Sequence, residues 1–215
     1  MKKIILPAML LFFFLVFMGC LPTVDVTKTW KNTEALNSNA SHHSIFIAAL
    51  TSNVEAKKKL ESRLAAEAKK RGLKVVTGME VFGPPGSPGI DTARAAILDK
   101  IRATGATAAF TVALVDVGDE NHYVPGSGSY GTAFSSYFDS FGNYYRRTDL
   151  VVNSPGYYAD EKMYYLESNL YDVTTEKLLW SAQSESATPD GLNSLSKNFT
   201  KAMIMQMEKD GVIKK

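Results

Sequence analysis

The sequence predicts an α/β domain: a three-layer-like βαβαβ unit followed by a β-hairpin and a C-terminal helix, on a mixed sheet of about five strands. Three observations carry this. Short apolar runs alternate with longer stretches of helical period between residues 44 and 117. Two β-rich stretches then flank a short link, Val173–Glu176, and a final amphipathic stretch closes the chain.

Taken in order, Ile45-Phe46-Ile47-Ala48-Ala49-Leu50 is a continuous apolar run, the pattern of a strand buried on both faces. Ser52 stands three residues before Glu55 and predicts a capping box for the helix that follows. Leu60, Leu64 and Ala68 form its buried stripe; Lys69, Lys70 and Arg71 suit its last turn, and Gly72 its left-handed stop. Lys57-Lys58-Lys59, interspersed with Glu55, Glu61 and Glu67, reads as a solvated face rather than a nucleic-acid or membrane patch. Leu73 to Val76 is a second strand. The Gly83–Gly89 stretch, rich in proline, is a loop. Asp91 is expected to cap the next helix, whose apolar side is Ala95, Ile97, Leu98 and Ile101, with Gly105 ending it. Thr107 to Val117 is the candidate central strand. This order is that of crossover units on a largely parallel sheet.

From residue 119 to 160 glycine, serine and tyrosine dominate. A loop this long in a compact domain is usually functional or mobile. Gly126-Ser127-Gly128-Ser129-Tyr130-Gly131 matches G-x-G-x-x-G in form only: the dinucleotide motif needs its glycines tight between a strand end and a helix start. Tyr123, Tyr130, Tyr137, Tyr144, Tyr145, Tyr157 and Tyr158 form a candidate partner surface, since tyrosine gives rigid amphipathic area at low entropic cost. The alternative is that they pack partly on the sheet.

Met163 to Asp172 and Lys177 to Glu185 read as the hairpin strands, with Glu176 where a turn often has glycine. Leu178 and Trp180 are expected on one core face. Thr188-Pro189-Asp190 is a helix start, and Leu192, Leu195, Phe199 and Ala202 or Met203 its stripe. Met203, Met205 and Met207 read as core edge and exposed positions rather than a metal cluster.

No catalytic constellation emerges, so a non-enzymatic role is expected, with no metal and no cofactor. His42 and His43 are adjacent, and His122 lies in the insertion; no H-x-x-x-H spacing occurs. There is no G-x-S-x-G elbow or P-loop. Asp116, Asp119 and Glu120 could gather at the end of the central strand, where open α/β sheets bind ligands, though solvated strand ends are commoner.

The N-terminus bears on location. Lys2-Lys3 precede about fifteen apolar residues, short of the roughly 20 that a bilayer span needs but right for a secretion signal. Gly19 and Cys20 follow, and Cys20 is the single cysteine. The Phe17-Met18-Gly19-Cys20 junction resembles the lipobox of bacterial lipoproteins, departing from it at Phe17 and Met18. The chain then divides into a signal peptide (1–19), a lipidated N-terminus and tether (20–43), and one domain (44–213). Trp30, the large apolar side chain of the tether, is expected to dock on the domain's own surface. Loss of Lys2 and Lys3 cancels the formal net charge of +2. A neutral chain offers no electrostatic ground for nucleic acid.

The whole also resembles a group of small uncharacterised bacterial lipoproteins, on Trp30-Lys31-Asn32, Tyr123-Val124-Pro125-Gly126, Ser154-Pro155-Gly156-Tyr157-Tyr158 and Leu179-Trp180-Ser181. More distantly its strand–helix order is similar to TolB-like and curli-secretion lipoprotein domains. The resemblance implies a lipid at Cys20 and, since Leu21 rather than Asp follows, an outer-membrane address facing the periplasm. The expected role is a binding or assembly module meeting an envelope protein. Alternatives are a small-ligand or glycan binder with a pocket at the strand ends and, behind both, a hydrolase.

Overall fold

The computed structural model describes residues 24–37, 42–87, 94–119, 162–186 and 191–214. Its sheet is mixed and has six strands: β1 (Asp25–Lys31), β2 (Ser44–Leu50), β3 (Lys74–Thr77), β4 (Ala108–Asp119), β5 (Lys162–Asp172) and β6 (Leu178–Ser186). Their order is β1-β6-β5-β4-β2-β3. β2 pairs in parallel with β3 and β4, and the other three pairings are antiparallel. Among the described residues five helices accompany it: α1 (Thr33–Asn37), α2 (Val54–Lys70), α3 (Gly78–Phe82), α4 (Arg94–Ala103) and α5 (Leu192–Lys209).

The strand beyond the expected number is β1, which falls where the sequence suggested a tether. Its side chains are exposed at nearly every position, so no burial period marks it. What holds it is backbone pairing to β6, from Asp25 opposite Glu185 to Lys31 opposite Trp180. A register shift between Val26 and Lys28, with Lys28 and Lys31 along the strand, blunts this open edge against further pairing.

Both faces of the sheet are covered, as the continuous apolar run of β2 requires. On the first face Leu60, Leu64 and Ala68 of α2 and Leu195, Phe199, Met203 and Met207 of α5 pack on Ile47, Phe110, Val112, Leu166, Leu170 and Trp180. On the second, Phe82 of α3 and Ile97, Leu98 and Ile101 of α4 pack on Phe46, Ala48, Leu50, Ala109 and Tyr171. Each fully buried large apolar side chain contributes roughly 1.5–3 kcal/mol. Trp180 is fully buried, stacks on Phe110 with ring centroids 6.5 Å apart, and its Nε1 donates to Asp210 Oδ2 at 2.8 Å. That bond ties β6 to the end of α5.

Several local expectations change. The cap of α2 is Asn53, whose Oδ1 accepts from the Ala56 amide at 3.0 Å; Glu55 instead pairs with Lys59 at 2.8 Å. A capping box does form one helix later, between Thr77 and Glu80 of α3. Gly72 takes the left-handed conformation at φ +80°, as its place after α2 demands. Ala95 is exposed while Ile97, Leu98 and Ile101 are buried. Leu178 and Trp180 lie on opposite faces: the register slips by one residue at Leu179, so Leu178 opposes Tyr171 and Trp180 opposes Leu170. Glu176 adopts φ 60° in the hairpin link, the left-handed geometry its place suggested. α5 begins at Leu192 after Gly191. Met203 and Met207, four apart, both enter the core, and Met205 is exposed.

Candidate functional site

Two polar groupings stand out among the buried residues. The first sits where β3 ends. β3 stops at Thr77, opposite Ile47, so Ala49 further along β2 has no strand partner on that side. Side chains of α2 replace it. Glu61 Oε1 accepts from the Ala49 amide at 3.0 Å, and Lys57 Nζ donates to the Ala49 carbonyl at 3.0 Å. Lys57 and Glu61 pair at 2.7 Å, and Glu61 Oε2 accepts from the Met79 amide at 2.8 Å. Both side chains are buried. Thus Lys57 does not belong to the solvated face that Lys57-Lys58-Lys59 suggested. The signal was its phase: Lys57 and Glu61 fall in register with Leu60, Leu64 and Ala68. Every oxygen and the ammonium have backbone or ion-pair partners, which makes this grouping a clasp rather than a reactive centre.

The second grouping crosses the second face of the sheet. Directly opposed residues on adjacent strands share a face, and Trp30, Ser181, Asn169, Thr111 and Ala48 follow one another in such a row. Gln183, Glu167 and Ala113 form the next row. Glu167, Asn169, Ser181 and Thr111 are buried. Asn169 Nδ2 donates to Glu167 Oε1 at 2.8 Å. Burial raises the Glu167 carboxyl above the usual range, and the Asn169 hydrogen bond offsets this only in part. Thr111 Oγ1 is buried without a hydrogen-bond partner among the described residues. The row therefore offers a carboxyl shifted toward its neutral form by burial, an amide and an unmatched hydroxyl on adjoining strands. Such groups can orient a polar ligand by hydrogen bonding. The sequence reading passed over them; alternation along Leu166-Glu167-Ser168-Asn169-Leu170 was the available signal, because it puts Glu167 and Asn169 in one inward phase.

The residues singled out from sequence fall as follows. Cys20, the tyrosines at 123, 130, 137, 144, 145, 157 and 158, the Gly126–Gly131 stretch, Asp91, Glu120, His122 and Thr188-Pro189-Asp190 lie outside the described residues, as do the side chains of Asp116 and Asp119. Trp30 lies in β1 and remains 38% exposed. His42 Nε2 is 4.0 Å from Asp172 Oδ2, at the other end of the sheet from the strand end where Asp116 and Asp119 lie. Among the described residues no three His, Cys, Asp or Glu side chains gather as a metal site. None of the helices there is long and apolar enough to cross a membrane.

Fold and site together define a three-layer α/β domain with a buried polar row on one sheet face. No family model and no curated protein sequence matches the chain. Among solved structures it is similar to a single-residue variant of the PelC dodecamer from Paraburkholderia phytofirmans, at 14% identity and TM-score 0.39, over 84% of this chain and 95% of that one. A second PelC dodecamer from the same organism matches at 16% identity and TM-score 0.38, over 80% and 88%. Lipoprotein GNA1162 from Neisseria meningitidis matches at 13% identity and TM-score 0.39, over 77% and 98%. Likeness of this degree gives no ground for a function.

Proposed function

We propose that this chain is a lipid-anchored protein of the bacterial cell envelope, acting as a non-enzymatic binding or assembly module that faces the periplasm from the outer membrane. The observation that carries the reading is Cys20 itself: the single cysteine, placed directly after Gly19 at the end of a charged-then-apolar leader. Acylation there would add roughly 0.8 kcal/mol per buried CH2, and two or more chains hold a protein stably on a bilayer. The partner is an envelope protein, met through Tyr123, Tyr130, Tyr137, Tyr144, Tyr145, Tyr157 and Tyr158. Those residues fall between β4 and β5, whose Asp119 and Lys162 are paired at the same end of the sheet where β1 begins.

Fractionation of cells expressing Cys20→Ala tests the anchor. The variant is expected as soluble protein or unprocessed precursor, and normal recovery in the membrane fraction would overturn the assignment. Crosslinking in intact cells from positions 123–158 tests the partner: a single trapped envelope protein supports it, and no crosslink above background rejects it.

A second reading, a small-ligand or glycan binder, is favoured by one observation. Thr111 presents a buried hydroxyl with no partner among the described residues, beside Asn169 and close to the Glu167 carboxyl. Saturable binding of a sugar or small polar ligand that Thr111→Val and Asn169→Leu both abolish would support this reading over the first.

A further inference from the structure

β1 enters the sheet at Asp25, only a few residues after Cys20 and well within the 20–43 stretch expected to be a tether. Val24 is 3% exposed, and Asp25 opens β1 opposite Glu185, in a row that continues to Tyr165 and Asp116. Three residues lie between Cys20 and Val24, and four steps of a fully extended chain at ~3.6 Å each make the link about 14 Å at most. The sheet is far longer along its strands. β5, with 11 residues, runs about 36 Å at ~3.3 Å per residue.

We infer that the end of the sheet where β1 begins and β6 ends is held beside the lipid bilayer, so that the partner proposed above is met at the membrane surface, and that the opposite end is held away from it. This rests on the lipid anchor at Cys20 proposed above. With the hairpin end against the membrane, Val24 would stand about 25 Å off, since Asp25 is level with Tyr165, seven residues at ~3.3 Å each from Asp172, and that is beyond the reach of the link. The surface chemistry at the near end suits an interface. Two of the large apolar side chains that stay exposed lie there: Tyr165 at 38%, and Val54 at 45% where α2 starts just after β2 ends. Tyrosine favours the headgroup level of a bilayer, one end apolar and the other wet.

The far end is cationic. Lys69, Lys74, Lys177 and Lys209 are exposed there, and none pairs with a carboxylate among the described residues. Anionic lipid would pull that end toward the bilayer. The short link opposes the pull, so the orientation is set by chain length rather than by charge.

The test uses the mature, lipidated protein in vesicles of phosphatidylethanolamine and phosphatidylglycerol. Because acylation occupies the Cys20 sulfur, an introduced cysteine is the single free thiol, and Glu55→Cys, Thr29→Cys and Thr174→Cys can each carry a fluorophore. With a nitroxide quencher on the lipid chains, the label at 55 is expected to be quenched severalfold more than that at 174, at any phosphatidylglycerol content. Inserting a Gly/Ser stretch of about twenty residues between Cys20 and Val24 should erase the difference, since such a stretch spans ~25 Å on average. Equal quenching at 29 and 55 would mean the sheet lies flat on β1 and would overturn the inference, as would stronger quenching at 174. Mass spectrometry separates the two ideas. An acylated chain with uniform quenching rejects the orientation alone, whereas a chain without the acyl mass rejects the anchor and the orientation with it.

Discussion

Lys57 Nζ and Glu61 Oε1 lie 2.7 Å apart inside the protein, and between them they take over both backbone groups of Ala49 that β3 leaves unpaired. A helix side-chain pair thus substitutes for a strand. It closes the sheet edge beyond Thr77 and, through the Met79 amide, fixes the start of α3.

Removing one partner should therefore be severe. Glu61→Gln or Lys57→Met leaves an uncompensated buried charge and is expected to lower stability by about 3–5 kcal/mol. The double variant should cost less than the sum of the two, although Ala49 and Met79 still lose their partners. Urea unfolding of the four proteins measures the coupling; strictly additive losses would show that the two side chains act independently.

Gly78 lies against the same pair. A Cβ built there would stand 2.9 Å from Glu61 Oε1, 3.1 Å from Lys57 Nζ and 3.2 Å from Ala48 Cβ. Gly78→Ala ordinarily favours a helix, but here the overlap should win and destabilise by roughly 1–3 kcal/mol. A rise in melting temperature would contradict the clasp geometry.

Glu167 sets a pH dependence. Its folded-state pKa is raised above the ordinary value of 4.5 by burial. The native state therefore holds the proton more tightly than the unfolded chain. The stability it contributes is fully present below the unfolded pKa and is lost as pH rises through the folded value. Glu167→Gln, which keeps an acceptor for Asn169, should flatten that decline and stabilise the protein at neutral pH. Denaturation curves between pH 4 and pH 8 of roughly equal slope in both proteins would refute this.

Asp210 joins three elements: its carboxylate accepts from Trp180 Nε1 at 2.8 Å and its backbone carbonyl from Lys31 Nζ at 2.7 Å. Asp210→Ala should remove the first bond and leave a buried indole N–H unmatched, at a cost of about 1–3 kcal/mol. Thermal unfolding followed by tryptophan fluorescence reads it. Lys31→Met, by contrast, loses an exposed contact and should change stability by less than about 0.5 kcal/mol.

The core stripes of α2 and α5 and the strands β2, β4, β5 and β6 were legible because burial on one or both faces writes a period into the sequence. Leu60, Leu64, Leu195 and Phe199 are found where that period places them. β1 was not legible, because backbone pairing holds it and its exposed side chains carry no period. The slip at Leu179 was hidden for a similar reason: a bulge changes which face a residue meets without changing its type. Charged residues misled most. Lys57 and Lys58 are the same residue type side by side, yet one is buried and the other exposed.

The sequence by itself determined the α/β class, the order of most elements and the expectation of a lipid at Cys20, because those depend on local period and local motif. Tertiary structure decided that Asp25–Lys31 is a strand of the sheet, that Lys57 and Glu61 stand in for a missing strand, and that Glu167, Asn169 and Thr111 meet across one sheet face. Each depends on which backbone groups find partners far along the chain, and long-range hydrogen bonding has no signature in a run of neighbouring residues.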